Sequence, residues 1–249
     1  MPDSISPDLP TLRGRSVLIT GAGRGLGAAT AQVLAEAGAH LALADRDEAA
    51  VQGQAKALAE LGVETMALQL DVRDAAQCEA AVAQVVQRMG RLDALVNNAA
   101  IDVTAPLVEL SVADWERVLA TNLFAPLVLS KYAAAHMAPR GGGQIVNICS
   151  TAAKRAWPNA SAYHATKWGL LGLSHALHAE LRAQDIRVTA IVAGGMRTPF
   201  LLERFPDIDV ARLQEPRNVA LAVRFALQQP AGSCIPELMV LPTQESSWP

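Results

Sequence analysis

The chain has 249 residues, of which 51% are hydrophobic and 18% are charged, and its net charge is −3. This length is sufficient to bury a substantial core, and the charge balance gives no electrostatic reason to expect nucleic acid or an acidic membrane surface as a partner. The first ten residues lack the basic start and apolar core of a secretory signal, and no apolar run reaches about 18 residues. We therefore expect a cytoplasmic protein with no membrane partner, whose three scattered cysteines are reduced thiols.

The first apolar run, residues 16–20, leads into a glycine-rich turn. The turn spans Gly21 to Gly27, and an Ala-rich stretch with helical spacing follows it as far as Gly38. Glycines leave the backbone N–H groups of such a turn accessible, and the positive end of the following helix favours a pyrophosphate. The pattern indicates a dinucleotide site with contacts at Gly21, Gly25 and Gly27, although a glycine turn alone is also typical of a plain tight turn.

The second apolar run, residues 40–44, ends in Asp45. A carboxylate at this strand end can accept hydrogen bonds from the hydroxyls of an adenosine ribose, and it repels a 2′-phosphate. The sequence therefore favours NAD over NADP as the cofactor. Arg24 and Arg46 flank the same position and could attract a phosphate, so NADP is the alternative.

Apolar runs typical of strands alternate with helical segments along the whole chain. The predicted strands lie near residues 15–20, 40–44, 64–70, 92–96, 144–149, 186–192 and 237–241. The alternation predicts a single α/β domain: a doubly wound, Rossmann-like parallel sheet of seven strands with helices on both faces. We expect residues 1–12 to form a flexible N-terminal extension. Ligands bind such sheets where the strands end, and these ends carry Gly21, Asp45, Asn97, Ser150 and Gly194.

A phenol and an ammonium group lie four residues apart, on one face of a predicted helix. Tyr163 and Lys167 follow Ser150 by thirteen and seventeen residues. An unperturbed phenol has a pKa of about 10 and exchanges protons poorly near neutrality, whereas a neighbouring cation favours the phenolate. The pair therefore predicts a tyrosine that exchanges a proton with a substrate oxygen.

A long helix is predicted over residues 112–137, with Pro126 inside it. Proline has no N–H, so the carbonyl group of Asn122 loses its intrahelical partner and the helix is expected to bend. An unpaired carbonyl near an active site can bind water, but a proline kink without a function explains the bend equally well.

Together these motifs resemble the short-chain dehydrogenase/reductase family over nearly the whole chain. The segment from Thr20 to Gly27 matches the family's T-G-x-x-x-G-x-G motif. Residues 70–72, Leu-Asp-Val, are similar to the family's adenine-contacting segment, and residues 97–99, Asn-Asn-Ala, to its N-N-A motif. The resemblance implies a Rossmann-type oxidoreductase that uses a nicotinamide cofactor.

The resemblance also implies a role for each residue of a catalytic set. Ser150 would position and polarise the substrate oxygen, and Tyr163 would be the acid–base group. Lys167 would bind the nicotinamide ribose and depress the pKa of the tyrosine, and Asn122 would hold a water in the proton relay. The residues implied to bind the cofactor are Gly21, Arg24, Gly25, Leu26, Gly27, Asp45, Arg46, Asp71, Val72, Asn98, Ala99, Tyr163, Lys167, Gly194 and Thr198.

Two positions depart from the family pattern. Ala100 stands where the family usually has glycine, and Ala193 stands where it usually has proline. Neither change removes a catalytic side chain. Without proline the backbone at position 193 is less restricted, which is expected to loosen the loop facing the nicotinamide. Thr198 still occupies the position of the family's carboxamide-contacting threonine, so we expect activity to survive.

The sequence thus predicts an NAD-dependent oxidoreductase that interconverts a secondary alcohol and a ketone, with a small-molecule substrate. The alternatives are an NADP-linked ketoreductase and, in a different class, a non-catalytic dinucleotide-sensing regulatory protein on the same fold. The intact set of Ser150, Tyr163 and Lys167 argues against the sensor. A substrate more apolar than a sugar acid is expected if the pocket is lined by the covering residues Trp157, Phe200, Leu201, Leu202 and Phe205.

The expected assembly is a homo-oligomer, a homotetramer or a homodimer. The helix predicted over residues 161–182 carries more apolar residues than one sheet-facing stripe needs: Trp168, Leu170, Leu171, Leu173, Leu177 and Leu181. Members of the family commonly pair this helix across a two-fold axis, and Trp248 is a further expected contact. No metal site is expected, because His175 and His178 have no neighbouring cluster of ligands in the sequence.

Overall fold

The computed structural model describes residues 10–245, and its strands form one parallel sheet. In chain order they are β1 (Ser16–Thr20), β2 (His40–Asp45), β3 (Thr65–Gln69), β4 (Ala94–Asn97), β5 (Gly143–Ser150), β6 (Ile186–Ala193) and β7 (Glu237–Val240). Their spatial order is β3-β2-β1-β4-β5-β6-β7, and every pairing is parallel. The predicted doubly wound sheet of seven strands is confirmed.

Helices connect the strands and cover both faces of the sheet. They are α1 (Gly25–Glu36), α2 (Glu48–Ala59), α3 (Ala75–Met89), α4 (Val112–Leu119), α5 (Ala125–Met137), α6 (Ser161–Leu181), α7 (Pro199–Leu202) and α8 (Pro216–Leu227). Local capping fixes where several of them begin. Asp74 accepts hydrogen bonds from two backbone N–H groups at the start of α3, and Ser111 accepts one at the start of α4.

Two apolar layers, one on each face of the sheet, form the core. Because side chains alternate along a strand, Val17 and Ile19 of β1 enter the layer beneath α1, α2 and α8, whereas Leu18 enters the layer beneath α3, α5 and α6. All three side chains are fully buried, which contributes about 1.5–3 kcal/mol each. Because β1 lies buried within the sheet, the start of the glycine turn that follows it is fixed in place.

Leu12, near the start of the described chain, packs into the core. Leu12 is only 1% exposed and belongs to the apolar layer beneath α1, and the carbonyl of Pro10 accepts a hydrogen bond from Gln228. Burial of Leu12 anchors the described chain at that residue, whereas Pro10 and Thr11 are exposed. The flexible extension stays a prediction. Its remaining residues, and the expected contact at Trp248, lie outside the described residues.

One described stretch, Val112–Arg140, is long and apolar enough, by length and composition, to cross a membrane. It contains α4 and α5, and 56% of its most apolar window is buried inside the protein. Ala133 and Met137 of this stretch are fully buried in the layer beneath α5. A helix in a protein core can have the same length and apolar composition, and this stretch packs as a core helix.

Candidate active site

The carboxyl ends of the strands open into one cavity of about 620 Å³. Most residues implied by the family resemblance line it: Gly21, Arg24, Gly25, Leu26, Asp45, Arg46, Asp71, Val72, Asn98, Ala99, Ser150, Tyr163, Lys167, Gly194 and Thr198. Gly27, Asn97 and Asn122 do not line the cavity. Each of them contacts neighbouring residues instead. The side-chain amide of Asn97, for example, donates to Asn147 of β5.

The glycine turn leaves no room for side chains where it meets α1. Gly21 has φ +64°, in the left-handed region that favours glycine, and a Cβ on Gly27 would lie 2.0 Å from the carbonyl oxygen of Gly21. Gly27 therefore permits close packing of the turn rather than contact with a ligand. Arg24, the residue before α1, makes no side-chain capping bond, so the first N–H groups of α1 are free of a side-chain acceptor at this cap. This cradle fits a pyrophosphate.

Asn98 and Thr20 fix the cradle to the neighbouring strand end. The amide of Asn98 donates to the carbonyl oxygens of Thr20 and Gly21 at 2.9 and 3.0 Å. In return, the hydroxyl of Thr20 accepts from the backbone N–H groups of Asn98 and Ala99, both at 3.1 Å. The N-N-A segment thus shapes the turn as well as lining the cavity.

Asp45 ends β2 beside the glycine turn, and its carboxylate is held by backbone groups. Oδ2 accepts from the N–H of Gly23 at 2.9 Å, and Oδ1 accepts from the N–H of Asp47 at 3.1 Å. Arg24, one of the two arginines that could attract a phosphate, is paired with Glu203 at 2.8 Å on the surface. Arg46 lies near Asp71, whose carboxyl pKa is lowered chiefly by its hydrogen bonds with Arg73.

The candidate catalytic side chains meet between β5 and α6. Ser150 ends β5, where its hydroxyl accepts from the N–H of Ala152 and is hydrogen-bonded with the phenol of Tyr163. One turn further along α6, the ammonium of Lys167 donates to the carbonyl of Ile148 at 2.8 Å and lies 5.5 Å from the centre of the Tyr163 ring. All three side chains line the cavity.

Burial controls the protonation of this pair. It raises the pKa of Tyr163 to about 12, although the hydrogen bond with Ser150 acts in the opposite direction. It lowers the pKa of Lys167 to about 8. Burial is the largest influence on the phenol, because loss of hydration penalises the phenolate. The expected lowering of the tyrosine pKa by Lys167 stays a prediction.

The expected bend near Asn122 is a π-helical turn, Ala120–Phe124, between α4 and α5. Pro126 has no N–H for the carbonyl of Asn122, and the helix loosens so that Ala125 bonds five residues back to Ala120. The side chain of Asn122 is buried and does not line the cavity. It accepts from the N–H of Ile101 at 2.9 Å and donates to the carbonyl of Ile101 at 2.8 Å.

The loop after β6 is held without the family's usual proline. Ala193 pairs with Val240 of β7, and the N–H of Gly194 donates to the carbonyl of Val240 at 2.9 Å. The N–H of Gly195 donates to the carboxylate of Glu245 at 3.0 Å. Thr198 is buried and faces the cavity from the same loop. These contacts hold the loop, and the loosening expected from Ala193 stays a prediction.

Aromatic side chains cover the outer part of the cavity. Trp157, Phe200, Leu201 and Phe205 line it, but Leu202 does not. His164 supports this cover from behind, because one ring nitrogen accepts from the N–H of Trp157 and the other bonds the carbonyl of Ala152. No catalytic role follows for the histidine.

Several charged cavity residues are absent from the sequence-based set, and two of them, Asp102 and Arg204, pair with each other. Asp102 and Arg204 form an ion pair whose side chains are 4% and 20% exposed, and both line the cavity. A charge three residues beyond the N-N-A segment could have indicated Asp102. Arg204 carried no comparable signal, because its partner lies 102 residues away in the sequence.

The chain has clear relatives among known proteins. A model of the short chain dehydrogenase family matches residues 15–209. A cis-4-hydroxycyclohexanecarboxylate dehydrogenase of Sinomonas cyclohexanicum is 34% identical, over 91% of this chain and 94% of the relative. A sorbitol dehydrogenase of Cereibacter sphaeroides is 33% identical, over 95% of this chain and 93% of the relative. The crystal structure of levodione reductase matches with a TM-score of 0.88 at 31% identity, covering 94% of this chain and 98% of that one.

Proposed function

Since the chain belongs to the short-chain dehydrogenase family, we propose that it is an NAD-dependent dehydrogenase that interconverts a secondary alcohol and a ketone. The family uses NAD or NADP, and relatives of this chain act on alcohols. The observation that carries the proposal is the hydrogen-bonded Ser150 and Tyr163, with Lys167 beside them, in the cavity that the glycine turn borders.

The residues present fit a nicotinamide dinucleotide. The turn from Gly21 to the start of α1 would hold the pyrophosphate, and Asp45 would accept from the adenosine ribose. Lys167 would bind the nicotinamide ribose, and Thr198 would contact the carboxamide. When bound, the nicotinamide supplies or accepts a hydride at the substrate carbon.

The preference for NAD rests on the charges beside the ribose position. Asp45 is fixed there by two backbone N–H groups, and its carboxylate would repel a 2′-phosphate. Arg24 is paired with Glu203 at the surface, but exposed ion pairs are weak. The preference for NAD therefore rests on Asp45.

Tyr163 moves the proton in this proposal. In ketone reduction the phenol donates its proton to the substrate oxygen, and in alcohol oxidation the phenolate removes it. Ser150 bonds the phenol and would orient the substrate oxygen beside it. A phenol with a raised pKa stays protonated at neutral pH, which suits the donor role and makes alcohol oxidation favour alkaline pH.

The direct test measures absorbance of the reduced cofactor across secondary alcohols and ketones, with NAD and NADP compared. We expect turnover of at least one alcohol–ketone pair and a larger kcat/KM with NAD. Asp45→Ala should narrow the gap between the cofactors, whereas Glu48→Ala, which removes a carboxylate outside the cavity, should leave it unchanged. Absence of turnover across the panel would contradict the enzyme, and equal or better use of NADP would contradict the cofactor assignment.

A further inference from the structure

His164 follows the candidate catalytic tyrosine on α6, and both nitrogens of its ring are hydrogen-bonded. Nε2 lies 3.1 Å from the backbone nitrogen of Trp157, and Nδ1 lies 3.0 Å from the carbonyl oxygen of Ala152. The imidazole and indole rings also meet edge to face, with their centres 4.2 Å apart. His164 is only 8% exposed and does not line the cavity. It therefore acts on its protein neighbours rather than on a ligand.

These two hydrogen bonds select one form of the ring. A backbone N–H only donates, so Nε2 of His164 must carry a free lone pair, and a carbonyl only accepts, so Nδ1 must carry a proton. The neutral ring with its proton on Nδ1 satisfies both bonds at once. Turning the ring over would leave buried polar groups without partners, which is unfavourable. The histidine is therefore held in one orientation.

Trp157 depends on this histidine for its position. The segment 156–158 lies between Arg155 and Asn159, which both make backbone hydrogen bonds to other loops. Within the part of the chain that the structure describes, the backbone of this segment makes no hydrogen bond except the one from Trp157 to His164. A loop with so few backbone bonds opens at low cost. His164 is therefore the polar anchor of the segment.

The same histidine connects Trp157 to the candidate catalytic side chains. Trp157 and Tyr163 both line the cavity, and His164 is the next residue after Tyr163. Ala152, the second partner of the ring, donates its N–H to the hydroxyl of Ser150. The position of the indole is thus fixed relative to the serine and the tyrosine that would meet the substrate oxygen.

We propose that His164 is a positioning residue that holds Trp157 as one wall of the substrate pocket, where the indole binds an apolar group attached to the carbinol carbon. The inference rests on the proposed function and names its substrate class: secondary alcohols with one large apolar substituent, and the matching ketones. An indole offers a large, rigid apolar surface. Contacts with it are made equally before and during the reaction, so the histidine affects KM more than kcat.

Two variants separate the two bonds of the ring. His164→Asn keeps a donor near the position of Nδ1 and loses the acceptor for Trp157, whereas His164→Gln keeps an acceptor near the position of Nε2. The probes are 1-phenylethanol and propan-2-ol, which share the carbinol but differ in the size of one substituent. For 1-phenylethanol, His164→Asn should raise KM by about 3- to 10-fold, as the loss of one hydrogen bond allows, with a smaller change in kcat. His164→Gln should restore most of the original KM.

The control is a histidine on the same helix. His175→Asn makes the same change where the side chain is 51% exposed and does not line the cavity, and it should leave the kinetics of both alcohols unchanged. A merely structural role of His164 would lower kcat for both alcohols alike. Three results would overturn the inference and leave the dehydrogenase standing: equal effects on both alcohols, no rescue by His164→Gln, or a larger kcat/KM for propan-2-ol in the unmodified protein.

A double-mutant cycle separates positioning from folding. Trp157→Ala removes the wall at a residue that is 37% exposed, and it should raise KM for 1-phenylethanol at least as much as His164→Asn does. In the Trp157→Ala protein the histidine has no indole to hold, so adding His164→Asn should change KM little further. Full additivity of the two changes would show that the histidine acts elsewhere, and it would overturn the inference.

Failure of the proposed function gives a different result. If no alcohol or ketone is turned over with either cofactor, that result counts against the dehydrogenase itself. Calorimetric titration of 1-phenylethanol and propan-2-ol into the protein, with and without NAD, then decides the inference. Tighter binding of 1-phenylethanol, weakened in His164→Asn and restored in His164→Gln, supports it. Equal binding of the two alcohols, or binding of neither, overturns it.

Discussion

Burial, more than neighbouring charge, determines the protonation of the central side chains. The sequence places Tyr163 and Lys167 on one helical face, and the structure agrees. The sequence does not show how little water reaches them, because that depends on how α6 packs against β5. As a result, the direction of the tyrosine shift could not be predicted from the spacing.

The buried lysine gives stability a characteristic pH dependence. Its pKa is about 8 in the folded protein against 10.5 for the ordinary group, so between these pH values the unfolded chain binds more protons and the free energy of unfolding rises with pH. A pKa shift of this size changes the free energy of unfolding by about 3 kcal/mol over the whole interval. Lys167→Met lacks this contribution.

We therefore expect urea unfolding at pH 7 to 10 to show the unmodified protein gaining stability relative to Lys167→Met as pH rises above 8. Lys56→Met is the control, because Lys56 is exposed on α2, and its difference from the unmodified protein should stay constant. Parallel pH profiles for the unmodified protein and Lys167→Met would show that the lysine is not buried as described.

At the scale of elements, regular strands were predictable from the sequence, whereas an irregular turn within a helix was predictable only in part. The strand at residues 40–44 was found because its apolar run is continuous, and the structure extends it by only one residue, to Asp45. The effect of Pro126 was predicted as a bend, but its form as a π-helical turn was not. Within that turn Asn122 bonds Ile101 and Thr166, which are distant in sequence and could not be read from the local pattern.

The pair of Asp102 and Arg204 could not be derived for the same reason. Arg204 lies just beyond α7, a four-residue helix with no periodicity to reveal it. Its partner follows β4, and only the sheet order brings the two loops to the same cavity. A sequence pattern indicates chemistry where the partners share one element, as Tyr163 and Lys167 do.

At the scale of the whole molecule, part of the apolar surface predicted for assembly is used within the monomer. Leu170 and Leu177 of α6 are buried, whereas Trp168 remains 53% exposed. Phe124 and Leu127, on the preceding helical stretch, are also exposed. Exposed apolar surface on neighbouring helices favours pairing of identical copies, and we propose a homo-oligomer.

Sedimentation at micromolar concentration tests this assembly. We expect a mass that is a multiple of 26.3 kDa, and Trp168→Glu should shift the equilibrium towards the monomer by placing a charge in the apolar contact. A clean monomer in the unmodified protein would contradict the proposal. An unchanged oligomer in the variant would place the contact elsewhere.

The proton-transfer role of Tyr163 is the central claim, and one variant tests it most directly. Tyr163→Phe removes the phenol oxygen and little else, so turnover measured by absorbance of the reduced cofactor should fall by about 10²- to 10⁴-fold, the usual contribution of general acid–base groups. NAD binding, titrated by fluorescence in the same preparation, should stay nearly intact. If the variant retains more than about a tenth of the original rate, its loss is far smaller than that expected of such a group, and this result would contradict the account.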